Sequence, residues 1–303
     1  MSSASQPAGT TTAAPKLSAS VVIVNSKNEI LLVQRTPESR AYGGVTVFPG
    51  GNFDAEEDAS LGITAIRETF EESGLLLAKS GHTISDAILD RARQAVYSRK
   101  TRFSDFMTQH GLEPDVASLL TFTQWVTPVD APMRFRTQFY VAFLPASSSG
   151  FSSGFKQERV PKPDGGIEVV STHFVHPSAA IEECRKGTFT FMPPQFYIVT
   201  TLAGILQGSQ TTHEQRAQIE ALSNGAFGQM VINPKRLQQR DSDGCVIFAY
   251  EGDETRGGSS GRRHRTLAPV RNNKFVTKEI RLERNFDIFS EIEANVFSMP
   301  SKL

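Results

Sequence analysis

Short apolar runs and polar turns alternate along most of the chain, and their spacing predicts both strands and helices. Residues 18–24 and 29–35 are rich in β-branched and aliphatic residues and are separated by Asn25-Ser26-Lys27-Asn28, which predicts a β-hairpin. Aromatic and β-branched runs predict further strands at 119–127, 135–144, 168–175, 228–232, 246–250 and 275–282. Apolar residues at helical spacing predict helices at 60–74, 85–98, 102–110, 178–186, 194–206 and 212–223. We therefore expect a mixed α/β protein.

The predicted helix at 60–74 carries three glutamates on one face. A step of about 100° per residue places Glu68, Glu71 and Glu72 close together, while Phe70 and other apolar residues lie on the opposite face. Like charges at this spacing destabilise an isolated helix, and a divalent cation with oxygen ligands offsets the repulsion most directly. We therefore expect a metal site on the acidic face, the alternative being a solvated charged surface.

Two neighbouring features favour the metal site over the solvated surface. Arg67 stands beside the glutamates and can hydrogen-bond one carboxylate and aim it. The turn Phe48-Pro49-Gly50-Gly51 lies upstream, and its glycines allow the backbone to approach a ligand closely. A carbonyl group of this turn, assigned to Gly51, is expected to add one more oxygen ligand.

These residues resemble the Nudix box of the Nudix hydrolases, with the pattern G-x5-E-x7-R-E-U-x-E-E-x-G-U, where U is a bulky aliphatic residue. The matching stretch, residues 51–75, runs Gly51-x5-Glu57-x9-Arg67-Glu68-Thr69-Phe70-Glu71-Glu72-Ser73-Gly74-Leu75. Two extra residues precede the arginine, which leaves Glu56 and Glu57 equally eligible for the first acidic position. Thr69 stands where the family has an aliphatic residue.

A second resemblance lies upstream of the box. Residues 31–51 resemble the signature LLTxR[SA]xxxRxxxGxVxFPGG of Nudix enzymes that act on coenzyme A, with Arg35 and Arg40 as its two arginines. Three short segments are similar to the peroxisomal coenzyme A diphosphatase branch of mammals; they lie at 125–128, 134–137 and 193–197. The likeness covers residues 18–205 approximately.

The resemblance implies a Nudix α/β/α sandwich with a mixed β-sheet over residues 18–207. A helical insert at 78–118 follows the Nudix helix, and a C-terminal extension of unassigned role occupies 208–300. Residues 1–17 are small and polar, which predicts a disordered tail. Ser301-Lys302-Leu303 predicts a peroxisomal import receptor as a partner and the peroxisomal matrix as the location.

The implied activity is metal-dependent hydrolysis of the diphosphate of coenzyme A or acyl-CoA. The products would be (acyl-)phosphopantetheine and adenosine 3′,5′-bisphosphate, and the cofactor Mg²⁺ or Mn²⁺. The expected metal ligands are Glu68, Glu71, Glu72 and Gly51. The expected catalytic residues are Glu72 or Glu168 as base, and Arg67. The expected substrate-binding residues are Arg35, Arg40 and Arg134, because guanidinium groups suit phosphate oxygens. Alternatives are hydrolysis of NADH or a nucleoside-diphosphate sugar, and a non-catalytic nucleotide-binding protein.

Composition narrows the range of partners. The 32 basic residues balance the 32 acidic ones, which gives no support for a nucleic-acid partner. No apolar run approaches the length of a membrane span. The two cysteines, Cys184 and Cys245, are expected to be reduced and buried.

The remaining predictions concern single side chains and two segments. Phe48 is expected in the core, whereas Trp125 is expected either in the core or stacked on adenine. His173 is expected to pack inside a strand rather than to act in catalysis. The basic run at 262–265 predicts a solvated, mobile loop, and the Ser/Gly/Pro-rich stretch at 145–166 predicts another beside the site.

Overall fold

The hydrophobic runs of the first half form most of the strands and helices that the pattern predicts. The computed structural model of the protein describes residues 14–38, 43–144, 169–271 and 274–292. Up to residue 144 the elements are β1 (Lys16–Val24), β2 (Ile30–Arg35), β3 (Thr46–Val47), β4 (Gly50–Asn52), α1 (Leu61–Ser73), β5 (Ala78–Ser80), α2 (Asp86–Tyr97), α3 (Phe103–Gln109), β6 (Leu112–Pro114), β7 (Leu120–Val126) and β8 (Phe135–Phe143).

The second half contributes four helices and the remaining strands within the described residues. They are β9 (Val169–Val175), α4 (Pro177–Lys186), α5 (Pro193–Ile205), α6 (His213–Asn224), α7 (Ala226–Gln229), β10 (Val231–Ile232), β11 (Lys235–Arg240), β12 (Val246–Ala249), β13 (His264–Ala268), β14 (Val270–Arg271), β15 (Lys274–Phe275) and β16 (Arg281–Arg284). The predictions for Arg40, Glu168, the loop at 145–166 and the tripeptide 301–303 concern positions outside the described residues, as does most of the N-terminal tail.

A mixed sheet of eight strands forms the centre of the fold. Its strand order is β10-β7-β8-β1-β2-β3, with β4 also paired to β1 and β9 to β2. Strand β1 runs parallel to β8 and antiparallel to β2 and β4. The prediction of an α/β fold with a mixed sheet is therefore confirmed.

Helices cover both faces of this sheet, because β1 is apolar on both sides. Val21 and Ile23 point to the cluster that contains Phe70 of α1, whereas Val22 and Val24 belong to the cluster that contains Ile198 of α5. Successive side chains of a strand alternate between faces, so one strand serves two cores. This arrangement is the α/β/α sandwich expected from the sequence.

Helix α1 begins and ends where local chemistry requires. The Ser60 side chain accepts a hydrogen bond from the Ile63 N–H at the N-terminus. Gly74 closes the C-terminus in the left-handed conformation, with φ of 75°, and donates to the Phe70 carbonyl. The helical insert packs on the apolar back of α1, where the Phe70 ring stacks on Phe106 of α3 at 5.4 Å between centroids.

The C-terminal extension shares a hydrophobic core with the preceding residues. Strand β10 adds to the central sheet beside β7, and β11, β12, β13 and β16 form a second, four-stranded sheet. The large cluster that contains Ile198 also contains Phe248 and Tyr250 of the extension. Residues after 208 therefore pack as part of the fold.

Two strand predictions in the extension were wrong in detail. Residues 228–232 contain the end of α7 and only the two-residue β10, since Phe227 and Met230 are both buried and a helical turn places residues three apart on one face. The run at 275–282 is broken by a 3₁₀ turn at Thr277–Glu279, where two charged residues interrupt the apolar pattern.

The basic run at 262–265 is not a solvated loop. His264 begins β13 and is fully buried, and Arg265 is 3% exposed. Burial of the Arg265 charge is possible because Asp253 accepts two hydrogen bonds from its guanidinium, at 2.7 and 2.6 Å.

Predictions for other single side chains have mixed outcomes. Phe48 lies in the core as predicted, and both cysteines are free and buried. Trp125 is 3% exposed and packs edge-on against Tyr197 and Tyr250, which places it in the core. His173 lies on β9 but is exposed, so the expectation of a packed side chain was wrong. Across the described parts of the chain, no helix combines the length and hydrophobicity that a membrane span requires.

Candidate active site

A cavity of about 1160 Å³ opens beside the acidic face of α1. Its wall on this side consists of backbone from β4 and of acidic side chains from α1. The cavity is also lined by residues from β7, β8 and the segment between them, and by residues from the extension. The acidic and basic side chains that line it are Arg35, Asp54, Glu57, Arg67, Glu68, Glu71, Glu72, Arg99, Asp130 and Arg236.

Arg67 organises the acidic side of the cavity. Its guanidinium donates to both carboxylate oxygens of Asp58, at 2.8 Å each, and to Glu68 and Glu71 at 2.9 Å each. Burial lowers the pKa of Arg67, but the bond to Asp58 and the neighbouring carboxylates outweigh burial and raise it well above the ordinary value. Arg67 therefore stays charged and holds two of the three predicted metal-binding glutamates.

Glu72 is held by the backbone of the turn at 48–51. It is 2% exposed and accepts a hydrogen bond of 3.0 Å from the Gly50 N–H. Gly50 has φ of 156° and lies so close to β1 that an added Cβ would be 2.3 Å from the Ala19 carbonyl oxygen. Only glycine fits this position, so the turn at 48–51 brings a backbone donor to the carboxylate.

Gly51 allows an equally close approach to Glu68. A Cβ at this position would lie 2.3 to 2.6 Å from the carboxylate atoms of Glu68. The register of β4 against β1, with Gly50 opposite Ser20 and Gly51 opposite Ala19, fixes this backbone beside α1. The glycines of the turn and the glutamates of α1, which the sequence placed in one motif, are therefore in contact.

The three glutamates are not gathered around one point within the described residues. No group of three or more His, Cys, Asp or Glu side chains is arranged there as a metal site. Hydrogen bonds hold the glutamates toward different groups: Glu68 and Glu71 accept from Arg67, and Glu72 accepts from the Gly50 N–H.

The donor set nevertheless suits a divalent cation. Carboxylate oxygens are hard ligands of the kind that Mg²⁺ and Mn²⁺ prefer. The charge of Arg67 is balanced by Asp58, so Glu68, Glu71 and Glu72 leave this side of the cavity negatively charged. The assignment of Gly51 and the three glutamates as ligands stays a prediction.

Sequence reasoning missed Asp58. Glu57 lines the cavity and accepts a long hydrogen bond, 3.3 Å, from the Phe103 N–H, whereas Glu56 is exposed. Asp58 is the buried partner of Arg67 and also accepts from the Thr64 hydroxyl at 2.9 Å. It lies nine positions before Arg67, nearer than Glu57 to the spacing of eight in the family pattern. That spacing was the available signal.

The predicted substrate-binding arginines occupy different places. Arg35 lines the cavity, and its buried Nε makes no hydrogen bond within the described residues. Arg134 donates to the Thr127 carbonyl at 3.2 Å and is not among the lining residues. Arg40 and Glu168 lie outside the described residues. Of the two predicted arginines that the structure describes, Arg35 lines the cavity and Arg134 does not.

The C-terminal extension supplies residues that line part of the cavity, and the sequence did not predict this. Pro234, Arg236, Phe248 and Phe275 all line it, and we call these four residues the extension wall. Nothing in the Nudix box or the upstream signature points to residues so far along the chain. Their approach depends on how the second sheet packs against β7.

A known family matches the part of the chain that contains α1. The family described as the NUDT19 Nudix domain matches residues 56–202, which include α1, the helical insert and strands β7, β8 and β9 of the central sheet. The matched region begins within the Nudix box and ends in α5.

Curated relatives share a low but extended similarity. "Putative nudix hydrolase 7" of Caenorhabditis elegans is 25% identical over 205 residues, 65% of this chain and 63% of the relative. "Acyl-coenzyme A diphosphatase NUDT19" of Xenopus laevis is 24% identical over 240 residues, 58% of this chain and 60% of the relative. The human protein of the same name is 28% identical over 161 residues, 48% of this chain and 40% of the relative. The chain thus spans less than two thirds of the length of these relatives.

A solved structure shows the same fold. A Nudix hydrolase from Alicyclobacillus acidocaldarius superposes with a TM-score of 0.50 at 21% identity, covering 63% of this chain and 92% of that one. At this identity the likeness concerns the fold alone.

Proposed function

We propose that this chain, which belongs to the Nudix hydrolase family, hydrolyses the diphosphate of coenzyme A or acyl-CoA. The products would be (acyl-)phosphopantetheine and adenosine 3′,5′-bisphosphate. One observation carries the proposal: Arg67 and the Gly50 backbone hold Glu68, Glu71 and Glu72 along one side of a large cavity that also contains Arg35.

The glutamates would hold Mg²⁺ or Mn²⁺, with the Gly51 backbone beside them. Such an ion neutralises the charge of a diphosphate and lowers the pKa of a bound water. The chain contributes the orientation of the carboxylates, because Asp58 fixes Arg67 and Arg67 fixes Glu68 and Glu71. A cation that binds Glu68 or Glu71 competes with the bonds from Arg67.

A general base must accept a proton from the attacking water. Glu72 is our candidate, since it lines the cavity and its bond to the Gly50 N–H fixes one carboxylate oxygen. The water oxygen then forms a bond to phosphorus while the bond to the bridging oxygen breaks. Glu168, the other predicted base, stays a prediction from the sequence.

Coenzyme A is the preferred substrate class for two reasons. The segment that leads into the cavity, residues 31–51, resembles a coenzyme A signature, and two of the relatives are named acyl-coenzyme A diphosphatases. Arg35 offers a buried guanidinium Nε that makes no bond within the described residues, which suits a substrate phosphate. Peroxisomal location likewise stays a prediction from Ser301-Lys302-Leu303.

Product analysis by mass spectrometry tests the proposal. Purified protein with Mg²⁺ or Mn²⁺ would be given coenzyme A, acetyl-CoA, NADH and ADP-ribose in parallel, with EDTA as the control. We expect adenosine 3′,5′-bisphosphate from the coenzyme A substrates, faster than any cleavage of the other two. Cleavage of NADH or ADP-ribose alone would support diphosphate hydrolysis but reject coenzyme A as the substrate. No metal-dependent product would favour a nucleotide-binding protein.

The variant Glu72→Gln tests the assignment of the base and metal ligand. It keeps the shape and one hydrogen-bond acceptor, so we expect the fold to persist while turnover falls at least about 1,000-fold. Glu56→Gln is the matched control, because Glu56 is exposed and close in sequence. Turnover within twofold of wild type in Glu72→Gln, measured under the same conditions, would remove Glu72 from the site.

A further inference from the structure

The extension wall lies at the end of the cavity remote from Arg35. In the central sheet, paired residues form a row from Asn52 through Ser18 and Thr137 to Trp125. All four of these residues line the cavity. Neighbouring strands lie about 4.8 Å apart, so the row places β7 about 14 Å from β4. Arg35 lies on β2, on the other side of β1 from β8.

The row continues directly into the extension. Trp125 pairs with Ile232 of β10, and Pro234 and Arg236 follow within four residues. On the second sheet Arg236 pairs with Phe248, so both side chains lie on the same face. The Phe275 ring packs edge-on against Phe248 at 5.4 Å between centroids. These residues therefore form one continuous surface with the cavity floor.

The chemistry of this end is apolar and adaptable. Met133, from the segment between β7 and β8, lines the cavity together with the extension wall. Phe275 is 42% exposed and Met133 is 43% exposed, and both line the cavity, so their apolar side chains are accessible to a ligand. Methionine is flexible and packs against irregular aliphatic groups. A flexible hydrocarbon chain suits this end better than a phosphate or a flat base does.

We propose that the extension wall binds the acyl group of an acyl-CoA substrate and so sets the preference for acylated over free coenzyme A. This inference rests on the proposed function. With the diphosphate beside the glutamates and the adenosine phosphate near Arg35, the pantetheine arm extends along Ser18 and Thr137. The thioester and its acyl group then reach Phe248 and Phe275.

The test compares kcat/KM for octanoyl-CoA and for coenzyme A in the same preparation. Their ratio does not depend on the fraction of folded enzyme, so a partly unfolded variant remains informative. We expect Phe275→Ala to lower this ratio about tenfold, since it removes apolar surface from the proposed acyl-binding end and leaves the groups beside the diphosphate unchanged. Phe275→Leu should restore most of the ratio. Phe289→Ala should match wild type, because Phe289 is 48% exposed in the same extension but does not line the cavity.

The possible failures are distinguishable. Turnover of both substrates by wild type, with equal ratios in all variants, would overturn the acyl-binding role of the extension and leave the proposed function intact. A wild-type protein that cleaves neither substrate would overturn the proposed function, and the acyl-binding role with it.

Discussion

Two buried arginine–aspartate pairs, Arg67–Asp58 and Arg265–Asp253, have nearly the same geometry in different surroundings. Arg67 donates to both oxygens of Asp58 at 2.8 Å. Arg265 donates to both oxygens of Asp253 at 2.7 and 2.6 Å. Both aspartate side chains are fully buried. The geometry of the pairs alone therefore does not distinguish the candidate active site from the C-terminal extension.

The difference lies in what surrounds each pair. Around Arg67, Glu68 and Glu71 also accept bonds and line the cavity. Around Arg265, Asp253 additionally accepts from the His264 N–H at 3.0 Å and the Thr255 hydroxyl at 2.7 Å. Neither Arg265 nor Asp253 lines the cavity.

Each buried ion pair thus holds neighbouring groups in place. The surrounding residues determine whether the pair supports the candidate active site or only the fold. The first pair positions carboxylates at a cavity, whereas the second positions strands of the extension. Predictions about the two pairs should differ accordingly: changes at Arg265 affect stability, and changes at Arg67 affect turnover as well.

The largest expected effect comes from removing the arginine of the structural pair. Arg265→Met leaves the Asp253 carboxylate buried without its main partner, so we expect the free energy of unfolding to fall by about 3–5 kcal/mol. Urea denaturation followed by circular dichroism measures it. Lys235→Met on the exposed β11 is the control, with an expected change within about 0.5 kcal/mol. A loss below about 1 kcal/mol for Arg265→Met would contradict the importance of the pair.

The second prediction concerns pH and the same region. His264 bonds Tyr197 at 3.0 Å and the Glu251 carbonyl at 2.6 Å, and burial lowers its pKa to about 4. Between the ordinary pKa of 6.5 and this value the unfolded chain binds the extra proton, so stability falls as pH falls. The expected loss from pH 7 to pH 4 at this residue is about 3 kcal/mol.

Urea denaturation at several pH values measures this contribution. His264→Gln should remove it and give a flatter dependence than wild type between pH 6.5 and 4. His213→Gln is the matched control, because His213 is exposed. Identical pH profiles for wild type and His264→Gln would show that the buried histidine is not responsible.

The third prediction separates the two pairs by activity. Arg67→Lys keeps the charge but loses the planar fork that holds Asp58, Glu68 and Glu71 together. Misplacing the carboxylates should lower turnover of coenzyme A about 100-fold, equivalent to about 2.7 kcal/mol. Arg265→Lys should leave turnover per folded molecule within twofold of wild type. Equal losses of turnover per folded molecule in the two variants would show that the Arg67 pair has no special role at the cavity.

Residues that act through local spacing were predicted well from the sequence. Helix α1 forms at 61–73 within the predicted 60–74, with Phe70 packed on the insert and Glu68, Glu71 and Glu72 on the cavity side. The period of the helix determines which residues share a face, so no knowledge of the rest of the chain was needed.

Other parts of the site could not be predicted in this way. The two-residue insertion left Glu56 and Glu57 as candidates for the first acidic position, whereas the structure pairs Arg67 with Asp58. The basic run at 262–265 looked like a solvated loop, since a charge run alone does not reveal that Asp253 will neutralise Arg265 inside the fold.

The sequence by itself indicated the resemblance to the Nudix family, the sandwich of helices around a mixed sheet, and the glutamates that lie beside Arg67. Only the tertiary structure decided which acidic residue binds Arg67 and which distant residues complete the cavity. The physical reason is the distance along the chain between the residues that interact. Helix periodicity and glycine turns act over a few residues, whereas the approach of Phe275 to the cavity depends on the packing of a whole second sheet.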